Sequence, residues 1–284
     1  MIPRMMMDYM ELTDEETRTQ AEAIEYIQSH KAELLDRFVL SKNPLPLGFI
    51  TIFMAGSPGA GKTEFSERYI PLLPDSLPKE AIEDLRKINI DSSLFDTLII
   101  RIDVDEIRTF LPQYVKSDPA SGIKGNAHVI QKAASKGLDI LRNHCLKNDI
   151  SFLHDGTFGN YSTMHEIISK SIKDGREVQI YYLYLDPLVA WAFTQAREKL
   201  EGRNIMKERF IEQYVKSKEN VDRAKLDFGE SVKIHCVLKD SDNKIADVAL
   251  NWPSVRQYLE TKQREGFIKI YDARELQELL QPFD

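Results

Sequence analysis

Cysteine is nearly missing from this chain: 284 residues hold two, Cys145 and Cys236. With no paired spacing and no histidine cluster beside them, they exclude a disulfide framework and a zinc site, and both read as small buried hydrophobes. A basic excess is missing as well. Lys and Arg number 38 against 45 Asp and Glu, a net charge of -7, whereas a general nucleic-acid binder needs the opposite balance to neutralise phosphates. No run of about 18 apolar residues occurs, so no membrane-spanning helix is expected. The opening M-I-P-R-M-M-M-D-Y-M-E-L lacks an apolar stretch ending in a small-residue cleavage site, and the expected location is the cytoplasm. Internal repeats and low-complexity tracts are absent too. What remains is ordinary globular composition, 42% hydrophobic, in a chain long enough to bury a substantial core.

The stretch Phe53 to Thr63, F-M-A-G-S-P-G-A-G-K-T, follows the apolar run Phe49 to Met54. It has the spacing of a phosphate-binding loop between a strand and a helix. Gly56, Ser57, Pro58, Gly59, Ala60 and Gly61 form a loop whose backbone N–H groups can face a phosphate. Lys62 can reach the β and γ phosphates, Thr63 can ligate Mg2+, and Glu64 opens the following helix. A nucleoside triphosphate is the expected ligand.

From Thr13 to Phe38 the acids T-D-E-E and the apolar positions Ala23, Ile24, Ile27, Leu34 and Leu35 predict a capped packing helix. Five apolar runs predict strands: Phe49–Met54, Thr97–Ile102, Ile150–His154, Val178–Leu185 and Val232–Leu238. The stretches between them are long enough for crossover helices. The expectation is an α/β P-loop fold with a five-stranded, mainly parallel sheet covered on both faces, plus extra N- and C-terminal helices. Residues 1–46 form the N-terminal helical segment, 47–240 the core with a lid at about 194–206, and 241–284 a C-terminal helical extension. Pro71 to Asp96 is a proline-punctuated insert. In the tail, two helices flank an expected short strand, Phe267 to Tyr271.

P-loops serve several chemistries. A GTPase needs an N-K-x-D guanine reader, and Asn243 to Asp247 reads N-K-I-A-D, one residue too long. A motor ATPase remains an alternative through Asp105 and Glu106 in I-I-R-I-D-V-D-E. The other alternative places Asp103 and Asp105 just past a strand end, in the crevice where open α/β sheets bind ligands. There a carboxylate can take the proton of an acceptor hydroxyl during phosphoryl transfer. Asp155, ending S-F-L-H-D-G-T, suits Mg2+ held through water. Arg197 and Arg203, six residues apart at the expected lid, can close over a triphosphate; the plain alternative for either is a solvated helix face. Besides a kinase, a slow nucleotide-dependent switch stays open, while a polynucleotide kinase conflicts with the acidic charge.

Taken in order, G-S-P-G-A-G-K-T, I-D-V-D-E-I-R, H-D-G-T-F and R-E-K-L-E-G-R resemble the zeta toxin kinases of bacterial toxin–antitoxin systems. The resemblance spans about Ile50 to Lys225. It implies ATP and Mg2+ as cofactors, held by Lys62 and Thr63, with Asp105 as the base and Arg197 and Arg203 as phosphate clamps. It also implies UDP-N-acetylglucosamine as the acceptor, phosphorylated at its 3′-hydroxyl. The substrate-binding positions would be Asp103, Arg108, Asp139 and Thr157, and an antitoxin protein is the implied partner. The family's E-G-T-x-R appears here as D-G-T-F-G, so Gly159 stands where a substrate-contacting arginine is expected. Lys124, Lys132 or Lys136 could compensate as point charges, without the bidentate fork.

Overall fold

The computed structural model of the chain describes residues 12–46, 48, 50–68, 98–118, 121–123, 125–201 and 205–280. The insert expected at 71–96 and Lys124 lie outside these residues. At the centre is β1 (Ile50–Ala55), whose six residues are all buried. The other strands are β2 (Ile100–Asp103), β3 (Phe152–Asp155), β4 (Glu177–Tyr184), β5 (Val232–Lys239) and β6 (Ile245–Ala249). They form one sheet in the order β2-β3-β1-β4-β5-β6. The first five are parallel and β6 is antiparallel to β5. Strands covered on both faces read as continuous apolar runs, which explains why β1 and β4 were legible. Each large aliphatic or aromatic side chain fully buried there contributes about 1.5–3 kcal/mol, so the strand carrying the P-loop is a firm platform.

The helices are α1 (Asp14–Ser29), α2 (Lys31–Phe38), α3 (Lys62–Arg68), α4 (Val104–Arg108), α5 (Ala127–Lys147), α6 (Tyr161–Lys173), α7 (Pro187–Glu201), α8 (Lys207–Phe228), α9 (Val255–Arg264) and α10 (Ala273–Leu279). α1 opens on the expected capping box, Thr13 with Glu16. The single helix expected from Thr13 to Phe38 is two: the ladder breaks at His30, whose ring stacks 3.9 Å from Tyr26. Both helices lie against α5. Gly137 permits the approach, since a Cβ there would press on Ile107, Ile27 and Leu34. The turn from α5 into β3 is held by the buried Arg176, which donates to the carbonyls of Ile150 (2.8 Å), Cys145 (3.1 Å) and Leu146 (3.1 Å).

Two expectations need correction. The sheet has six strands, not five, because Ile245–Ala249 pairs with β5 from a segment expected to hold only helices. Its alternation of half-buried and exposed residues is the mark of an edge strand with one covered face. Conversely, Phe267–Tyr271 is extended but pairs with no strand. Side chains satisfy its backbone instead: Tyr184 donates to the Lys269 carbonyl (2.6 Å) and the Ile270 N–H donates to Gln263 (2.8 Å).

Candidate functional site

Chain order reverses across β1, with β3 on one side and β4 on the other, and the crevice at the carboxyl ends of such strands is the ligand position of open α/β sheets. The P-loop leaves β1 there. Gly59 and Gly61 hold φ of 75° and 72°, backbone that L side chains rarely adopt. A Cβ at Gly59 would collide with the Ala190 carbonyl of α7, and one at Gly61 with the Lys239 ammonium. Lys62 curls over the loop, donating to the carbonyls of Gly56 (3.1 Å) and Ser57 (2.7 Å). Burial pushes its pKa down to about 8. Asp155 opposes that shift, Arg197 adds to it, and Asp103 and Asp105 oppose it. Arg197 and the three aspartates therefore all act on the P-loop lysine.

On the β2–β3 side, Asp103 and Asp155 are register partners on adjacent strands. The Thr63 hydroxyl donates to Asp155 Oδ2 (3.1 Å). Asp103 caps α4 by accepting from the Asp105 N–H (2.8 Å), which fixes where Asp105 begins. Burial, then the charges of Asp155 and Asp105, push the Asp103 carboxyl up to about 7, against the pull of the Asp105 N–H and Arg101. The Asp105 carboxylate accepts from Arg108, which also donates to Gln131 on α5. His154 precedes Asp155 but is no proton acceptor at neutral pH: burial, with Arg142 nearby, pushes it down to about 3.

The fold thus brings Lys62, Thr63, Asp103, Asp105, Arg108 and Asp155 together, with Arg197 acting from the lid side. Thr157 stands against the loop, its carbonyl accepting from the Gly56 N–H (3.4 Å). Asp139 is not joined to this cluster. It sits eight residues beyond Gln131, about 12 Å along the helix axis, exposed and paired with Arg142. Lys132 is exposed and Lys136 half-buried on the same helix. Arg203 lies outside the described residues.

Three participants were not foreseen. Arg101 donates to Asp155 from Nε (3.2 Å) and Nη2 (2.8 Å), to Asp103 (2.7 Å) and to Glu106, and lies 3.5 Å from Glu67. Despite burial, Asp155, Asp103 and Glu106 drive its pKa above the ordinary arginine value. The signal for it was present, since the two-residue period of a strand puts Arg101 on the face of Asp103. Gln131 carried no such signal. Nor did Lys239, which reaches across from β5 to the Gly61 carbonyl (3.2 Å) and Asn243 (2.9 Å), with Asn243 donating to Glu64 (3.1 Å). Asp247, in the N-K-I-A-D string, binds Tyr258 and Lys262 rather than facing the loop.

The residues present suit ATP and Mg2+. Among the described residues no three His, Cys, Asp or Glu side chains surround one metal position. Mg2+ seldom asks for that: one or two protein oxygens with phosphates and water suffice. The converging Thr63 hydroxyl and Asp155 carboxylate provide such oxygens.

Among the described residues no helix is long and apolar enough to cross a membrane. No curated protein matches the chain in sequence. A structure from the PezAT chromosomal toxin–antitoxin system of Streptococcus pneumoniae is similar over 95% of this chain and 93% of its own, with 18% identity and a TM-score of 0.50. A structure of the AvrRxo1-ORF1:-ORF2 complex with ATP is similar over 89% of this chain and 74% of its own, with 13% identity and a TM-score of 0.50. At such identities the likeness shows the fold, that of a P-loop kinase. The sequence profile headed "Zeta toxin" matches residues 90–275, from beyond the P-loop through the acid cluster and α7 into α10. That match covers well over half of the chain, which therefore belongs to the zeta toxin family.

Proposed function

We propose that the protein is an ATP-dependent phosphotransferase acting on an alcohol, with a hydroxyl of UDP-N-acetylglucosamine as the acceptor that family membership favours. The observation that carries this reading is the convergence of Lys62 with Asp103, Asp105 and Asp155 at one end of the sheet. Asp105 takes the acceptor's hydroxyl proton as its oxygen bonds to the γ phosphorus and the bond to the ADP oxygen breaks. Arg108 orients the Asp105 carboxylate, and Asp103 sets the start of α4. Lys62 and Arg197 face the phosphate charge, with Arg203 proposed as a second clamp. Thr63 and Asp155 are the residues that would hold Mg2+, whose charge offsets that of the transferred group. Thr157 and Asp139 are proposed acceptor contacts, the second requiring a substrate that extends along α5. An antitoxin protein is the proposed partner and the cytoplasm the proposed location.

A second reading, a different nucleotide or a dinucleotide as acceptor, is favoured by Gly159. It offers no guanidinium where a UDP-sugar kinase of this family would grip its substrate. Incubation with γ-labelled ATP and a pool of UDP-sugars, nucleosides and NAD-type dinucleotides, resolved by chromatography, separates the readings. Label on the UDP-amino sugar supports the first and label on another nucleotide the second. Free phosphate alone returns the protein to the class of switch ATPases.

A further inference from the structure

Arg101 is placed where a phosphotransferase would be expected to keep room for a cation. Its guanidinium is half-enclosed by four carboxylates from four elements: Glu67 on α3, Asp103 on β2, Glu106 on α4 and Asp155 on β3. Two of its nitrogens hold Asp155 Oδ2, the same oxygen that accepts from the Thr63 hydroxyl. Its side chain is 12% exposed, and that of Asp155 5%. A buried carboxylate without a counter-charge is strongly disfavoured, and a forked guanidinium is the side chain that can serve several at once. Without Arg101, four acidic side chains would face one another beside the P-loop, an arrangement that invites a divalent ion whether or not a nucleotide is present.

We propose that Arg101 is a positioning residue with a second duty: it holds Asp155 and Asp103 in place and supplies the resident positive charge that keeps the acid cluster from binding a divalent cation on its own. A metal ion then enters together with the triphosphate, whose oxygens add the ligands that Arg101 withholds. The positioning duty rests on the phosphoryl-transfer reading. The exclusion of metal does not, and can be measured without nucleotide, so either can fail alone.

The test is a Mn2+ titration of the full chain without nucleotide, read by electron paramagnetic resonance as loss of the free-ion signal, on the unaltered protein, Arg101→Gln and Arg101→Lys. The unaltered chain is expected to leave Mn2+ free into the millimolar range. R101Q is expected to bind it at least about tenfold more tightly, because the carboxylates remain and the charge is gone. R101K keeps the charge and is expected to exclude Mn2+ as before, while losing at least about tenfold in kcat with KM for ATP little changed, since an ammonium cannot grip two carboxylates as a fork does. Circular dichroism and thermal melting report folding. A folded R101Q with unchanged Mn2+ affinity overturns the exclusion. Should R101Q fail to fold, R101K decides: exclusion retained supports the proposal, and Mn2+ binding gained by R101K overturns it. An R101K enzyme with undiminished kcat removes the positioning duty.

Discussion

On the β3 side of the P-loop the strands end in carboxylates held by arginines, whereas on the β4 and β5 side they end in a helix cap and a buried lysine. The first flank gathers Asp103, Asp105, Glu106 and Asp155 around Arg101 and Arg108. The second holds Asp186, which caps α7 by accepting from the Leu188 N–H (2.8 Å), and Lys239, clamped to the Gly61 carbonyl. Behind it, Tyr181, Tyr182, Tyr184 and Tyr214 are fully buried. The difference is one of purpose. Opposed charges in partial contact with water can exchange partners when a substrate arrives. Buried phenols and carbonyl clamps cannot, and they fix the loop against which that exchange takes place.

The sharpest test of this division is Asp105→Asn. Removing a general base costs about 10²–10⁴-fold, so kcat is expected to fall by that order while the ATP dissociation constant, measured by fluorescent-nucleotide displacement, stays within about threefold. A parallel loss of ATP affinity would place Asp105 on the nucleotide-holding flank and dissolve the distinction.

Next in size is a pH effect at Lys62, the residue where the flanks meet. Burial lowers its pKa to about 8, below the value of 10.5 ordinary for lysine. Bound phosphates favour the ammonium, so the pKa of the nucleotide complex lies higher than that of the free protein. Affinity for ATP is therefore expected to be level below about pH 8 and to fall by up to about tenfold per unit above it, with proton uptake on binding. Calorimetry in buffers of different ionisation enthalpy measures both quantities. Affinity that stays level to pH 9.5 would mean that Lys62 keeps its charge without help.

Smaller again is Lys239→Met. It leaves the Gly61 carbonyl and Asn243 without their donor, at a cost of about 1–3 kcal/mol, expected as a fall of about 2–4 °C in Tm per kcal/mol for a domain of this size. At saturating ATP, kcat is expected to hold within about threefold. A large loss of kcat with unchanged Tm would show that the second flank takes part in the chemistry.

How much of this was legible in the chain depended on range. The P-loop and the acids at strand ends could be read because their spacing is local: glycine positions, a two-residue strand period, a carboxylate just past an apolar run. Arg101 obeys the same period and could have been recognised beside Asp103. The Lys239 clamp could not. It joins residues 178 apart and exists only because β6 turns back on β5 and delivers Asn243 to the loop. That same hairpin was hidden because an edge strand of alternating burial carries half the apolar signal of a central one. Phe267–Tyr271 erred in the other direction: an apolar run predicts extended backbone, but whether a ladder forms depends on an open sheet edge, and here side chains took the backbone's hydrogen bonds.

The finest probe of the acid flank is Gly159→Arg. Gly159 follows Phe158, which is itself strained at φ 61°, and Asn220 holds both carbonyls at 3.0 Å, so the backbone here is well pinned. A Cβ at 159 would lie 3.2 Å from the Thr157 hydroxyl and 3.9 Å from Gln213, tight enough to require a few tenths of an ångström of adjustment but not a collision. The variant is expected to fold, with Tm lowered by no more than a few degrees. A UDP-sugar acceptor presents a diphosphate that a fork can hold, so its KM is expected to fall by a few-fold while kcat changes little, the signature of uniform binding. Steady-state kinetics against a UDP-sugar and a dinucleotide reads the outcome. A KM that rises for both would mean that residue 159 faces a passage the acceptor must use, and that glycine is required there for room.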